Sequence, residues 1–262
     1  MASNCKFFCE ARNLHIKDID ILNKIKPFFE VGSVTYRENK NICVYRVSKI
    51  EDLVNIIIPH FNSYPLFTLK NSDYKLWSKV VDFISKKEHL TEKGFSTILT
   101  YYASINKGLS PSVSSSFPGI TGIKKESVIL PDNLNPNWVS GFVAGDGGFS
   151  IGIRKKTSQI YFRFQVTQHS RDISLMNLFV KFFDCGKVNI RSQTDRCDFY
   201  VQDYLHIDNN ILPHFDKYPL YNAKSLDLVD FKKALELYKE RGRKNIDEIK
   251  LIISNMNSKR DK

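Results

Sequence analysis

From Asp18 to Phe29 the apolar residues Ile21, Leu22, Ile25, Phe28 and Phe29 recur at helical spacing, which predicts an amphipathic helix. Gly32–Arg37 and Ile42–Val47 then read as two strands around a polar turn, Glu38–Asn41. Helical patterns resume over Ile50–Ile58, Asn71–Lys87 and about Phe95–Asn106, with Pro59-His60-Phe61 and Tyr64-Pro65-Leu66 separating the first two. Beyond Gly108 the period is lost, and Ser110, Pro111, Ser112, Pro118 and Gly119 mark a linker, assigned to residues 110–133. After a helix-like stretch from Trp138, the apolar residues Phe149, Ile151 and Ile153 alternate with Ser150, Gly152 and Arg154, as on a half-buried strand. Ile160–Gln168 does the same: Ile160, Phe162, Phe164 and Val166 share one face, and Tyr161, Arg163, Gln165 and Thr167 the other.

The two halves carry the same punctuation. His15 and Asp18 recur as His169 and Asp172, Phe28-Phe29 as Phe182-Phe183, and Gly32 as Gly186. Pro59-His60-Phe61 recurs as Pro213-His214-Phe215, Tyr64-Pro65-Leu66 as Tyr218-Pro219-Leu220, and Lys70 and Asp73 as Lys224 and Asp227. Every pair is 154 positions apart, so the chain is a duplication, with copies over 1–109 and 134–262. Counting 154 back from Trp138 and Asp146 passes Met1, so the first copy is expected to lack that helix, its acid and the strand after it. At the same offset Glu10 and Arg12 stand where Phe164 and Val166 should be. That implies either a one-residue shift or decay of the strand, because a slip of one turns charges into the core. Near the end the offset fails, the Lys86–Gly94 loop being longer than its counterpart around Arg241–Asn245.

The stretch WVSGFVAGDGGFSIGIR, Trp138–Arg154, combines unusual choices. Gly141 and Gly145 lie four apart, on one helix face where a second backbone could come close, and each costs about 1 kcal/mol against Ala. Asp146 falls at the C-terminal end, where the helix dipole disfavours an anion by about 0.3–1 kcal/mol unless a cation is near. A divalent metal would supply that cation. Gly147 and Gly148 are expected to provide a left-handed residue for leaving the helix.

This stretch resembles the signature motif of the LAGLIDADG homing endonucleases. The resemblance implies an α+β fold of two αββαββα repeats forming a pseudo-two-fold saddle, the first repeat truncated at its N-terminus. It implies paired signature helices that each deliver an acid to Mg²⁺ sites cutting double-stranded DNA. With the first motif missing, its helix would come from coding sequence upstream of Met1 or from intermolecular pairing with a second molecule. The alternative is a relic or intron-splicing maturase that binds DNA or intron RNA without cutting.

Charge changes the picture towards nucleic acid. The net charge is +11 and the pI about 9.3, which favours a polyanionic partner through counterion release. Five cysteines, Cys5, Cys9, Cys43, Cys185 and Cys197, show no paired CxxC spacing, which argues against a disulfide framework or zinc site. No apolar run is long enough to span a membrane. The abundance of Lys, Asn, Ile, Phe and Tyr hints at an AT-rich coding genome such as that of a mitochondrion or other organelle.

The candidate site follows. Asp146 would be a metal ligand, with the Gly145 backbone beside it. Lys224 and its counterpart Lys70 match the family's basic residue near the scissile phosphate, although their contexts, NAK and TLK, lack the family's usual polar neighbour. Side chains able to contact bases are Ser150, Tyr161, Arg163, Gln165, Thr167, Lys187, Asn189 and Arg191, with Ser33, Thr35 and Arg37 in the first copy. Arg154, Lys155 and Lys156 sit at a hairpin tip, suited to phosphates. His15 and His169 each precede by three residues an Asp that could cap a helix, so hydrogen bonding is their expected role.

Overall fold

The computed structural model describes residues 9–10, 14–241 and 245–257. Cys5, Arg12 and residues 242–244 of the loop near the C-terminus lie outside the described residues. The chain divides into two compact units, Met1–Leu130 and Pro131–Lys262. No described helix is long and apolar enough to cross a membrane, and Cys43, Cys185 and Cys197 are buried free thiols.

The first unit holds strands β1 (Cys9–Glu10), β2 (Leu14–His15), β3 (Ser33–Arg37) and β4 (Ile42–Val47) in one antiparallel sheet. β1 and β2 both pair with β4, and β3 pairs with it as well. The second holds β5 (Gly147–Ile153), β6 (Ile160–His169), β7 (Lys187–Ile190) and β8 (Arg196–Val201) in the order β5-β6-β8-β7. The apolar face of each sheet is covered by helices: Ile19–Phe29, a helix over residues 50–63 and Lys70–Ser85 in the first unit, and Ile173–Phe183, residues 204–217 and Lys224–Arg241 in the second.

The duplication is visible in backbone detail. Gly32 and Gly186 both have left-handed φ, +81° and +84°, and a Cβ there would meet the carbonyl oxygens of Arg46 and Tyr200 at 2.7 and 2.9 Å. Glu30 and Asp184 end their helices in the left-handed conformation. Pro59 and Pro213 do not separate helices, as the sequence suggests; each follows a π-turn, Leu53–Ile57 or Ile207–Ile211, inside one continuous helix. The wide turn, closed by Ile58 N–H to Leu53 O and by Leu212 N–H to Ile207 O, precedes a residue that has no N–H to give.

The disturbed strand of the first copy is resolved by register. Phe164 pairs with Val201 and Gln168 with Cys197 in β6, while Cys9 pairs with Val47 and Leu14 with Cys43. Three residues therefore separate Glu10 from Leu14 where two separate Gln165 from Gln168, so the first copy carries the one-residue shift. One inserted residue returns β1 to the alternation without turning the whole strand over.

The linker, where the sequence shows no period, contains a helix, Pro111–Ser116, and its return segment is fastened to the Lys70–Ser85 helix. Ser72 Oγ donates to Glu126 O (2.7 Å), Lys75 pairs with the Glu126 carboxylate (2.9 Å) and Lys125 with Asp73 (2.5 Å). The aspartates after His15 and His169 make no side-chain cap; the histidines do, each Nδ1 accepting from the N–H two residues on at 3.3 Å.

The core of the second unit is aromatic. Phe149, Phe162, Phe164, Phe179, Phe199 and Phe231 are fully buried, each contributing about 1.5–3 kcal/mol by removal from water. The first unit has smaller side chains at its centre: Leu22, Cys43, Val47, Leu53, Ile57 and Val81, with Tyr45.

Candidate active site and nucleic-acid interface

The Pro136–Asp146 helix starts from Asn135, whose Oδ1 accepts from Asn137 N (2.9 Å) and Trp138 N (3.3 Å), with Pro136 in the first turn. It buries Val139, Ser140 and Val143, and Trp138 and Phe142 stack towards Phe179. Gly141 and Gly145 face away: a Cβ at either would meet nothing within 4 Å. Among the described residues nothing comes that close to either position, so local packing does not account for the two glycines.

Nor does the helix end in a left-handed residue. Gly147 is extended (φ −89°, ψ 174°) and leads directly into β5. It is glycine for space, since a Cβ would lie 2.6 Å from Val143 Cγ1 and 2.9 Å from its carbonyl oxygen.

Asp146 follows as the last helical residue. Its Oδ2 accepts from Gln168 Nε2 at 2.6 Å, and Oδ1 has no hydrogen bond among the described residues. Gly145, Asp146, Gln168, His169, Asp195 and Arg196 help line an open cavity of about 560 Å³. Gln168 was missed because strand alternation assigns it to the core face; the end of β6 lets it turn to the acid instead.

The cation expected at this helix end is present as a side chain. Lys224 Nζ donates to Val143 O (2.9 Å), Ala144 O (3.0 Å) and Gly147 O (2.6 Å), and Asn222 Nδ2 also reaches Ala144 O (2.9 Å). Val143 O also takes the Gly147 N–H, Ala144 O lies in the last turn of the helix, and Gly147 O belongs to the first residue of β5, so Lys224 places its charge where the helix dipole is negative. Lys224 therefore has a capping job that sequence reasoning did not foresee. Lys70, its counterpart, is exposed.

On the same helix Ser140 Oγ donates to Tyr218 O (2.6 Å) and lies 3.1 Å from His214 Nε2. His214 is packed against Phe182, Phe183, Phe215 and Tyr218, and burial pushes its pKa down to about 4. It is a core histidine, in keeping with a structural role.

The outward sheet face of the second unit is where the pattern put it. Ser150, Tyr161, Arg163, Gln165 and Thr167 share it, and Ser150 pairs with Arg163 and Gly152 with Tyr161 across the ladder. Gly152 is small because the Tyr161 ring lies over it, 2.2 Å from where a Cβ would be. Tyr200, which sequence reasoning missed, carries Arg163 over its ring at 4.5 Å and Lys187 at 5.5 Å. Lys187 and Asn189 are exposed, as are Arg154, Lys155 and Lys156 in the β5–β6 hairpin, and Ser33, Thr35 and Arg37 on β3. Arg191 and Thr167 are not free: both bind the buried carboxylate of Asp198, with Arg191 Nε–Oδ2 at 2.6 Å, Nη2–Oδ1 at 2.7 Å and Thr167 Oγ1–Oδ1 at 2.5 Å. Burial pushes the Asp198 carboxyl up, but the bonds from Arg191 and Thr167 outweigh it and leave its pKa below the usual carboxylate value.

The residues at Asp146 suit a hard cation in kind, offering carboxylate and carbonyl oxygens. They supply only part of a site: no cluster of three or more His, Cys, Asp or Glu side chains able to hold a metal occurs among the described residues.

Comparison with known proteins agrees with this architecture. The LAGLIDADG endonuclease family model matches residues 8–81 and 139–235. Two Neurospora crassa relatives, probable intron-encoded endonucleases 3 and 2, are 33% and 35% identical over 92% and 90% of this chain. The chain spans about half of their length, 46% and 56%. The solved structure of the LAGLIDADG homing endonuclease I-SmaMI bound to cleaved DNA superposes with a TM-score of 0.91 at 31% identity, covering 97% of this chain and 87% of that one. I-SmaMI has also been solved on uncleaved target DNA in the presence of calcium ions. The duplicated mixed helix-and-sheet units, the glycine-lined helix ending in Asp146 and these matches lead to one conclusion: the chain belongs to the LAGLIDADG endonuclease family.

Proposed function

We propose that this chain acts as a site-specific endonuclease of the intron-homing type, hydrolysing phosphodiester bonds of double-stranded DNA with Mg²⁺. The observation that carries the reading is Asp146: a carboxylate anchored through one oxygen by Gln168, with the other making no hydrogen bond among the described residues, beside a polar cavity. Asp146 and the Gly145 carbonyl would hold the cation. When bound, it would activate water and offset charge on the leaving oxygen. Gln168 fixes the acid, and Lys224 holds the helix end from which the acid projects. Phosphate contacts fall to Arg154, Lys155 and Lys156, and base contacts to the outward residues of β5–β8 with Ser33, Thr35 and Arg37.

Pairing of this helix with a second signature helix would complete the arrangement. Two features support this. Phe28 and Tyr64 are 67% and 69% exposed, whereas their counterparts Phe182 and Tyr218 are partly buried, at a site tied to the Pro136–Asp146 helix through Ser140. Gly141 and Gly145 also present a face that nothing among the described residues comes close to. The alternative is a DNA- or RNA-binding relic or maturase, which binds without cutting. An organellar origin rests on the intron-encoded relatives and the Lys/Asn/Ile-rich composition.

The test exposes the full chain to a randomised duplex library with Mg²⁺ or with a chelator. Enrichment of cut ends at one sequence, abolished by the chelator, is expected. Binding without cutting would favour the relic, and no enrichment of either kind would overturn both readings.

A further inference from the structure

Arg191, Asp198 and Thr167 form a built arrangement on the outward sheet face of the second unit. Asp198 is 3% exposed, on a face otherwise rich in cations. A carboxylate there opposes attraction to a polyanion and loses hydration, so its retention calls for a specific job. Its two oxygens take the Nε and Nη2 protons on one side of the Arg191 guanidinium, while Thr167 Oγ1 donates to Oδ1. This fork uses the side of the guanidinium and leaves its end, where both Nη1 protons make no hydrogen bond among the described residues. The 3.4 Å contact from Nη2 to Thr167 Oγ1 is too long to hold the outer Nη2 proton firmly. The Arg191 side chain remains 38% exposed.

We propose that Asp198 is a positioning residue that, with Thr167, presents the end of the Arg191 guanidinium to the two acceptors of a guanine, O6 and N7, in the major groove. A guanine edge offers two acceptors at the spacing of those two N–H groups, and no other base edge does. A flexible Arg must be ordered on binding; one already held by a planar fork loses less freedom. The first unit provides an internal contrast. Arg37 stands at the position of Arg191, but Val44 occupies that of Asp198, so Arg37 is exposed and has no buttress there. The second unit therefore reads one position of its half-site strictly as guanine, while Arg37 does not.

This assignment rests on the DNA-reading function proposed above, and one experiment separates the two. The full chain, without Mg²⁺, is taken through rounds of binding to a randomised duplex library, and base preference is read at every position. Wild type is expected to enrich a sequence containing a strict guanine. In Asp198→Val, which installs the first unit's own residue, preference for that guanine should fall roughly three- to tenfold. In the double variant Arg191→Ala/Asp198→Val, which leaves no orphaned buried charge, it should fall roughly ten- to a hundredfold, with other positions unchanged. Asp198→Asn preserves the side-chain volume and should give the same position-specific loss if valine disturbs folding, which thermal unfolding reports. An enriched sequence in which no single guanine responds, or in which all positions weaken together, overturns the role of Asp198. Failure of wild type to enrich any sequence overturns the DNA-reading function and this assignment with it.

Discussion

The two units share a backbone plan yet differ in what their equivalent side chains touch. Lys224 donates to three carbonyls at the end of the Pro136–Asp146 helix, whereas Lys70 is exposed. His214 meets Ser140 inside an aromatic cage, whereas His60 sits in the matching cage of Phe28, Phe29, Phe61 and Tyr64, two members of which are mostly exposed. Asp198 is Val44 in the first unit. The contrast teaches that one sequence motif, Lys or His at the same offset, has different energetic weight according to which described residues pack against it.

The largest expected effect lies in the lysines. Lys224→Met should destabilise the chain by about 2–3 kcal/mol, because several helix-end carbonyls lose a charged donor; Lys70→Met should stay within about 0.5 kcal/mol, as surface changes do. Denaturant melts of both variants make the comparison, and equal effects would break it. Next comes Ser140→Ala, which removes the bond to the Tyr218 carbonyl and should cost about 1 kcal/mol.

The histidines give a pH-dependent contrast. Burial lowers the His214 pKa to about 4 from 6.5, so the unfolded chain takes up a proton that the folded chain refuses. Its contribution to stability is complete above pH 6.5 and is lost as pH falls from 6.5 towards 4. His60 is shifted in the same direction by burial. Melts between those pH values should flatten in His214→Phe, and a histidine NMR titration should find His214 the more depressed of the two. A His214 signal titrating near 6.5 would contradict the buried cage.

Much of this was legible in sequence because it is written in periodicity. The outward faces of β5 and β6 follow from alternation, and the duplication follows from one constant offset. What escaped depended on side chains reaching across elements. Nothing local marks Lys224 as a helix cap, Gln168 as the partner of Asp146, or Asp198 as the holder of Arg191. Register also hid a correspondence near the C-terminus: Asn106 and Asn257, both left-handed, each donate a backbone N–H to the equivalent aspartates Asp73 and Asp227, at 3.5 and 2.8 Å. The shorter loop in the second copy shifts that pair away from the 154-residue spacing. The glycine pair was legible as a shared helix face, whereas what packs on that face is not written in local sequence.

The most direct measurement of the central claim replaces Mg²⁺ by Fe²⁺ in the complex of the full chain with its selected duplex. With ascorbate and peroxide, iron held at the acid releases hydroxyl radicals that cut the polypeptide close by, whether or not a second acid is present. The account predicts backbone scission around residues 145–147, suppressed by excess Mg²⁺ and lost in Asp146→Asn while DNA affinity stays within about twofold. Scission elsewhere, or at the same place in Asp146→Asn, would contradict a metal gripped by this carboxylate.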